Sequence, residues 1–97
     1  MFVNIGFTPA EAAELIAKSR LISVIGKTIK LLRLTLAEAA RRCGTDQPTL
    51  SKVLRGRMES VTIDRLAAWL MALGRTIEIH VRPYDAKTRR GLLVTTA

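Results

Sequence analysis

Apolar residues recur at three- and four-residue steps along the first third of the chain, which is the spacing of one helix face. Thr8, Pro9 and Glu11 supply an N-cap, a first-turn proline and the glutamate of a capping box. No further proline occurs before Arg33, so the pattern predicts one long helix or two consecutive helices. Gly26 lies within this pattern, where it can permit close packing. The apolar positions are Leu15, Ile22, Ile25, Ile29 and Leu32.

Two short helices joined by a glycine turn are predicted next. Thr35 and Glu38 form a second capping box, and the helix that they start is expected to run through residue 43. Gly44 suits the left-handed position that follows a helix end. Asp46 can cap a helix over residues 47–54 or 47–55, which Gly56 ends. This arrangement is typical of a helix-turn-helix.

The last third of the chain predicts a fourth helix and then a strand. Thr62 can cap a helix over residues 63–73, with Gly74 at its end. Residues 76–82 then alternate between apolar and polar side chains, which predicts a half-buried strand. We therefore expect residues 1–83 to form one mainly α-helical domain, with four or five helices and a C-terminal β-strand. Residues 84–97 are expected to form a basic, partly flexible tail.

A lone strand needs a partner for its backbone and for its apolar side. That partner can be the arm at residues 2–5, the same strand of a second protomer, or another protein. Twofold pairing would place two recognition helices about 34–36 Å apart, one turn of DNA. We therefore predict a homodimer with Ile77, Ile79 and Val81 at the interface, and Trp69 either there or in the core.

Composition limits the chemistry that the chain can perform. Aromatic residues make up 4% of the 97 residues, so the core must be largely aliphatic. A single cysteine and a single histidine exclude an internal disulfide and paired-histidine metal chemistry. Nothing accompanies His80 as nucleophile or second ligand, so we expect a protein that is not an enzyme and has no cofactor or metal. Cys43 is expected in the core.

The charge of the chain points to a polyanionic partner. The net charge is +8, and residues 18–57 carry ten lysines and arginines but only two acidic residues, so the whole excess lies there. No apolar stretch approaches the roughly 18 residues of a membrane helix. The first residues lack the basic and apolar regions of a secretory signal, so we expect a cytoplasmic protein without membrane contact.

The helix-turn-helix and the charge together indicate binding to double-stranded DNA, with the second helix entering the major groove by its N-terminal end. Small side chains at Ala39 and Ala40 would allow the two helices to cross closely. Polar and basic positions around the motif would face the duplex. Lys27, Lys30 and Arg33 are first interpreted as solvated surface charge, with accessory contact to phosphates as the alternative. The expected base-contacting residues are Gln47, Pro48, Thr49, Ser51 and Lys52. The expected phosphate-contacting residues are Thr35, Arg41, Arg42, Arg55, Arg57, Lys27 and Lys30.

The segment over residues 34–56 resembles the xenobiotic-response-element (Cro/repressor-like) family of helix-turn-helix proteins. The matching residues are Leu34-Thr35, Ala37-Glu38, Ala40-Arg41-Arg42, Gly44, Gln47, Leu50-Ser51 and Arg55-Gly56. Further similarity, over roughly residues 5–83, is to antitoxins of the host-inhibition-of-growth type. It rests on Gly6-Phe7-Thr8-Pro9-Ala10-Glu11, Asp46-Gln47-Pro48, Leu54-Arg55-Gly56-Arg57, Thr62-Ile63-Asp64-Arg65-Leu66 and Ala72-Leu73-Gly74. Leu36 departs from the family, which often has a phosphate-contacting glutamine there.

The resemblance implies a lambda-repressor-like bundle that binds an operator as a homodimer. For the antitoxin subgroup it further implies repression of the protein's own operon and neutralisation of a small RelE-like toxin that cleaves messenger RNA. A stand-alone or phage-type repressor without a toxin partner is the alternative, and a neighbouring gene for a small basic protein would distinguish the two.

Overall fold

Every α-helix in the described chain is preceded by a residue whose side chain accepts a hydrogen bond from a backbone N–H of the first turn. The computed structural model describes residues 8–83, and all four of these capping residues were predicted from the sequence. The helices are α1 (Pro9–Leu31), α2 (Leu36–Cys43), α3 (Gln47–Leu54) and α4 (Ile63–Ala72). Their capping residues are Thr8, Thr35, Asp46 and Thr62.

The first helix is a single element of 23 residues, which decides between the one-helix and two-helix alternatives. Its buried positions include Ile22, Ile25 and Ile29, as the apolar spacing predicts. Leu32 lies after the helix end and remains 42% exposed, so it does not continue the buried face. A Cβ on Gly26 would meet only the Leu54 side chain, at 3.9 Å, so this glycine is not required for close packing.

The core forms where α1 packs against α3 and α4 while α2 packs against the same two helices from another side. The largest fully buried side chains are aliphatic: Ile25, Leu50, Leu66, Leu70 and Val53. Trp69 joins this cluster with only 2% of its surface exposed, which is the core alternative for this residue. Almost none of its side chain is left for contact with a second protomer.

A short 3₁₀-helix, Met58–Ser60, connects α3 to α4 and was not predicted from the sequence. It packs against α1, and Met58 contacts the core. None of the helices within residues 8–83 combines the length and the hydropathy that crossing a bilayer requires.

The predicted strand over residues 76–82 is absent from the described chain, and residues 75–83 have no regular secondary structure. Ile77 is partly buried against the core, whereas Ile79 and Val81 are 87% and 91% exposed. A strand is defined by backbone hydrogen bonds to a neighbour, and no segment within residues 8–83 supplies them. The candidate partner at residues 2–5 and the predicted tail at residues 84–97 lie outside the described residues.

Candidate nucleic-acid interface

The first helix of the motif, α2, begins with a reciprocal capping box. The Thr35 hydroxyl accepts from the Glu38 N–H at 3.1 Å, and Glu38 Oε1 accepts from the Thr35 N–H at 2.9 Å. These bonds from Thr35 are the main cause that lowers the pKa of Glu38, with a smaller effect of Arg41 and Arg42. The carboxylate is thus ionised and held at the helix start, where it complements the positive end of the helix dipole.

The turn between α2 and α3 is built on Gly44, whose φ of 71° is left-handed. The Gly44 N–H donates to the Arg41 carbonyl at 3.2 Å, and the Thr45 N–H donates to the Ala40 carbonyl at 3.0 Å. Ala39 and Ala40 are completely or almost completely buried. Small side chains at these two positions therefore lie between α2 and the rest of the bundle, as the sequence predicts.

Cys43 lies at the end of α2 and is partly buried against the core. Its Sγ lies 3.7 Å from the carbonyl oxygen of Trp69, to which the thiol donates. Burial raises the pKa of the Cys43 thiol, which disfavours the reactive thiolate. The cysteine is therefore a packing residue that joins α2 to α4.

The second helix of the motif, α3, starts at Asp46, whose carboxylate accepts from the Thr49 N–H at 2.7 Å. Hydrogen bonding from the side chain and then from the backbone of Thr49 lowers the pKa of Asp46, and Lys52 adds to the effect. Pro48 lies in the first turn of the helix, where no backbone N–H is needed for an intrahelical bond. The N-terminal end of α3 is thus held by residues 46–49 themselves.

The described structure separates the five predicted base-contacting residues into two groups. Gln47, Pro48 and Lys52 are exposed on α3, whereas Thr49 and Ser51 are only partly exposed. Thr49 is engaged with Asp46 and lines a cleft beside the helix. The exposed group is therefore the part of α3 that is most accessible to a groove.

All seven predicted phosphate-contacting residues are exposed in the folded domain. They lie at the N-terminus of α2, in its last turn, just after the end of α3 and in the C-terminal half of α1. Thr35 uses its hydroxyl oxygen as the cap of α2, but a hydroxyl can still donate its hydrogen to a phosphate. The seven residues are Thr35, Arg41, Arg42, Arg55, Arg57, Lys27 and Lys30.

An open cleft of about 520 Å³ lies between the start of α3 and the start of α4, and nothing in the sequence pattern predicted it. Its polar lining includes Thr45, Thr49, Ser60 and Arg65, and Val53 and Trp69 also border it. Within residues 8–83 there is no group of three or more histidine, cysteine or acidic side chains able to hold a metal ion.

Together, the turn geometry, the exposed N-terminal end of α3 and the surrounding basic residues define a helix-turn-helix DNA-binding domain. Comparison with known proteins agrees with this class. The family described as "Helix-turn-helix domain" matches residues 2–82. A solved structure described as "Putative XRE Family Transcriptional Regulator" is similar over 89% of this chain and 98% of its own, with 31% identity and a TM-score of 0.80. No match is found among curated proteins.

The chain therefore belongs to the XRE-like helix-turn-helix family. The family assignment favours a DNA-binding regulator of transcription over an enzyme. The resemblance that the sequence motif indicates is thus confirmed at the level of the family.

Proposed function

We propose that this protein is a sequence-specific repressor that binds double-stranded operator DNA as a homodimer. The observation that carries the proposal is the exposure of Gln47 and Lys52 on α3, whose N-terminal end is capped by Asp46. Glutamine can pair with both hydrogen-bonding groups of adenine in the major groove, and lysine can reach guanine. Exposed basic residues on the flanking elements would neutralise phosphates and set the register of the protein on the duplex.

The test is a comparison of affinity and of sequence preference. Wild-type protein and a Gln47→Ala, Lys52→Ala double variant would be selected against a random duplex library, and the recovered duplexes titrated by fluorescence anisotropy. Lys52→Ala alone is expected to cost roughly 1–3 kcal/mol of binding free energy if Lys52 contacts a base. The double variant should lose both affinity and sequence preference, because it lacks the two proposed base contacts. It should remain folded, because both side chains are exposed and lie outside the core.

A matched control loses the same single positive charge as the double variant. Arg75→Ala removes one positive charge from an exposed position after α4, outside the helix-turn-helix. It should bind the selected duplexes with nearly wild-type preference. An unchanged affinity and preference in the double variant would exclude α3 as the reading surface.

We further propose that the repressor is the antitoxin of a toxin–antitoxin pair, which represses its own operon and neutralises a RelE-like toxin. Support comes from the motif resemblance over roughly residues 5–83. Co-purification from the native operon with footprinting of its promoter tests this. A bound promoter with no co-purifying protein would favour the stand-alone or phage-type repressor.

A further inference from the structure

The four α-helices within residues 8–83 end in the same backbone arrangement. After each helix, one N–H donates to a carbonyl three residues back, and the next N–H donates to a carbonyl five residues back. The first of these two residues has a positive φ in every case. It is glycine in three helices, Gly44, Gly56 and Gly74, with φ between 71° and 101°. After α1 it is Arg33, with φ of 56°, the only non-glycine residue of positive φ in the described chain.

A side chain at such a position strains the backbone, because in the left-handed region Cβ approaches the following carbonyl oxygen. Glycine avoids this contact, as the three other helix ends of the same domain illustrate. Two backbone hydrogen bonds compensate for part of the strain at Arg33, as at the other helix ends, but these bonds do not require an arginine side chain. Its side chain is exposed and makes no hydrogen bond or ion pair with another residue in 8–83. A strained residue whose side chain the fold does not use is a candidate for a role outside the domain.

The surroundings of Arg33 indicate the kind of partner. Arg33 lies two residues before Thr35, the cap of α2, and α2 is the helix of the motif that crosses the DNA backbone. Lys27, Lys30 and Arg33 are all exposed and follow one another at three-residue steps. No acidic residue occurs between residues 14 and 38, so neighbours along the chain do not neutralise this charge.

We propose that Arg33 contacts a phosphate of the duplex at the stretch of backbone crossed by α2, and that its left-handed conformation directs the guanidinium there. A guanidinium suits this contact because its planar fork can donate two parallel hydrogen bonds to one phosphate. The assignment rests on the duplex binding proposed above. It adds a contact at the one helix end where arginine stands in place of glycine.

The test uses two substitutions with opposite consequences. Arg33→Gly removes both the strain and the charge, whereas Arg33→Lys keeps a charge and the strain. Thermal unfolding and binding to a mixed-sequence duplex of about 30 base pairs, long enough for two half-sites, would be measured for each variant. A mixed sequence is suitable because phosphate contacts do not depend on sequence.

Arg33→Gly should raise Tm by about 4 °C or more and weaken duplex binding several-fold. The slope of log K against log salt concentration should become shallower by about 0.9 for each protomer bound, the loss of one phosphate contact. Arg33→Lys should keep the slope and show no rise in Tm. A shallower slope in Arg33→Gly together with a wild-type slope in Arg33→Lys is the expected signature.

Arg75→Gly is the matched control, because it removes the same charge from an exposed residue whose φ is not positive. It should give no rise in Tm and a near wild-type slope. Equal slopes for Arg33→Gly and wild type would overturn the proposal, as would an equal loss in Arg75→Gly, which would indicate a general charge effect. Failure of the wild-type protein to bind any duplex would instead refute the proposed function.

Discussion

The ammonium of Lys18 donates a hydrogen bond to the main-chain carbonyl of Met58 at 3.2 Å. This bond joins the middle of α1 to the 3₁₀-helix that connects α3 to α4, across 40 residues of sequence. By sequence, Lys18 is the first of the basic residues that make up the positive segment over residues 18–57. One of these ten charges therefore stabilises the fold, and the count of basic residues overstates those that are free to meet DNA.

Lys18→Met should separate the two roles of lysine on α1. Methionine keeps the apolar stem but cannot donate to Met58, so we expect the free energy of unfolding to fall by about 1–2 kcal/mol. Urea denaturation measures this loss. Lys27→Met, on the exposed side of the same helix, should change stability by less than about 0.5 kcal/mol yet weaken duplex binding. The opposite pattern would show that Lys18 contacts the DNA and that Lys27 stabilises the fold.

Gly26→Ala is expected to stabilise the protein by about 0.5–1 kcal/mol. Glycine inside a helix costs about that much relative to alanine. The new Cβ would meet only Leu54 Cδ2, at 3.9 Å, which is an ordinary contact. Gly44→Ala is the comparison: no atom lies within 4 Å of its Cβ, but φ is 71°, so the backbone strain should lower stability by about 1 kcal/mol. A loss of stability in Gly26→Ala would reveal a packing constraint.

Stability should fall in acid as the caps of the motif take up protons. The pKa values of Asp46 and Glu38 are lowered below their ordinary 3.8 and 4.5 by hydrogen bonds made in the folded state. Each carboxylate therefore contributes stability that is present above its unfolded pKa and is lost as the pH falls through its lower folded pKa. Urea unfolding followed from about pH 7 down to about pH 3 should show this loss beginning near pH 4.5.

The control for the loss of stability at low pH is the double variant Asp46→Asn, Glu38→Gln. Asparagine remains a good N-cap, and glutamine can still accept from the Thr35 N–H. Neither amide titrates, so the decline in stability between neutral and acid pH should be smaller than in wild type. An identical decline in both proteins would assign the acid sensitivity to other carboxylates.

Ile79→Asp with Val81→Asp should disrupt the proposed homodimer without unfolding the protomer. Both side chains are almost fully exposed, so they add little to the core, whereas charges within an interface would be desolvated. Light scattering should show the mass fall from two chains to one. Glu78→Ala, one residue away in the alternation, should leave the dimer intact. A wild-type protein that is already monomeric at micromolar concentration would refute the dimer.

Much of the helix-turn-helix could be predicted from short patterns in the sequence. Caps at Thr35 and Asp46 and the turn at Gly44 depend on bonds between residues at most five positions apart, so the residue types and their spacing are sufficient. The strand over residues 76–82 could not be treated in this way. Alternation reports which side chains are apolar, but a strand also needs a neighbouring backbone, which lies elsewhere.

The candidate site shows the same division. Exposure of Gln47 and Lys52 follows from helical periodicity, whereas the partial burial of Thr49 depends on the cleft between α3 and α4. The unusual backbone of Arg33 carries no sequence signal, because a left-handed position after a helix is normally marked by glycine and not by arginine.

The sequence by itself determined where the four α-helices start, which side chains are apolar, and that the positive charge surrounds a helix-turn-helix. These features arise between close neighbours in the chain. Only the tertiary structure decided that α1 is one helix, that Lys18 holds the 3₁₀-helix, that Trp69 fills the core, and that Arg33 takes a glycine conformation. Lys18 and Trp69 contact segments that are distant in the sequence, and such packing is a property of the whole domain rather than of a local pattern.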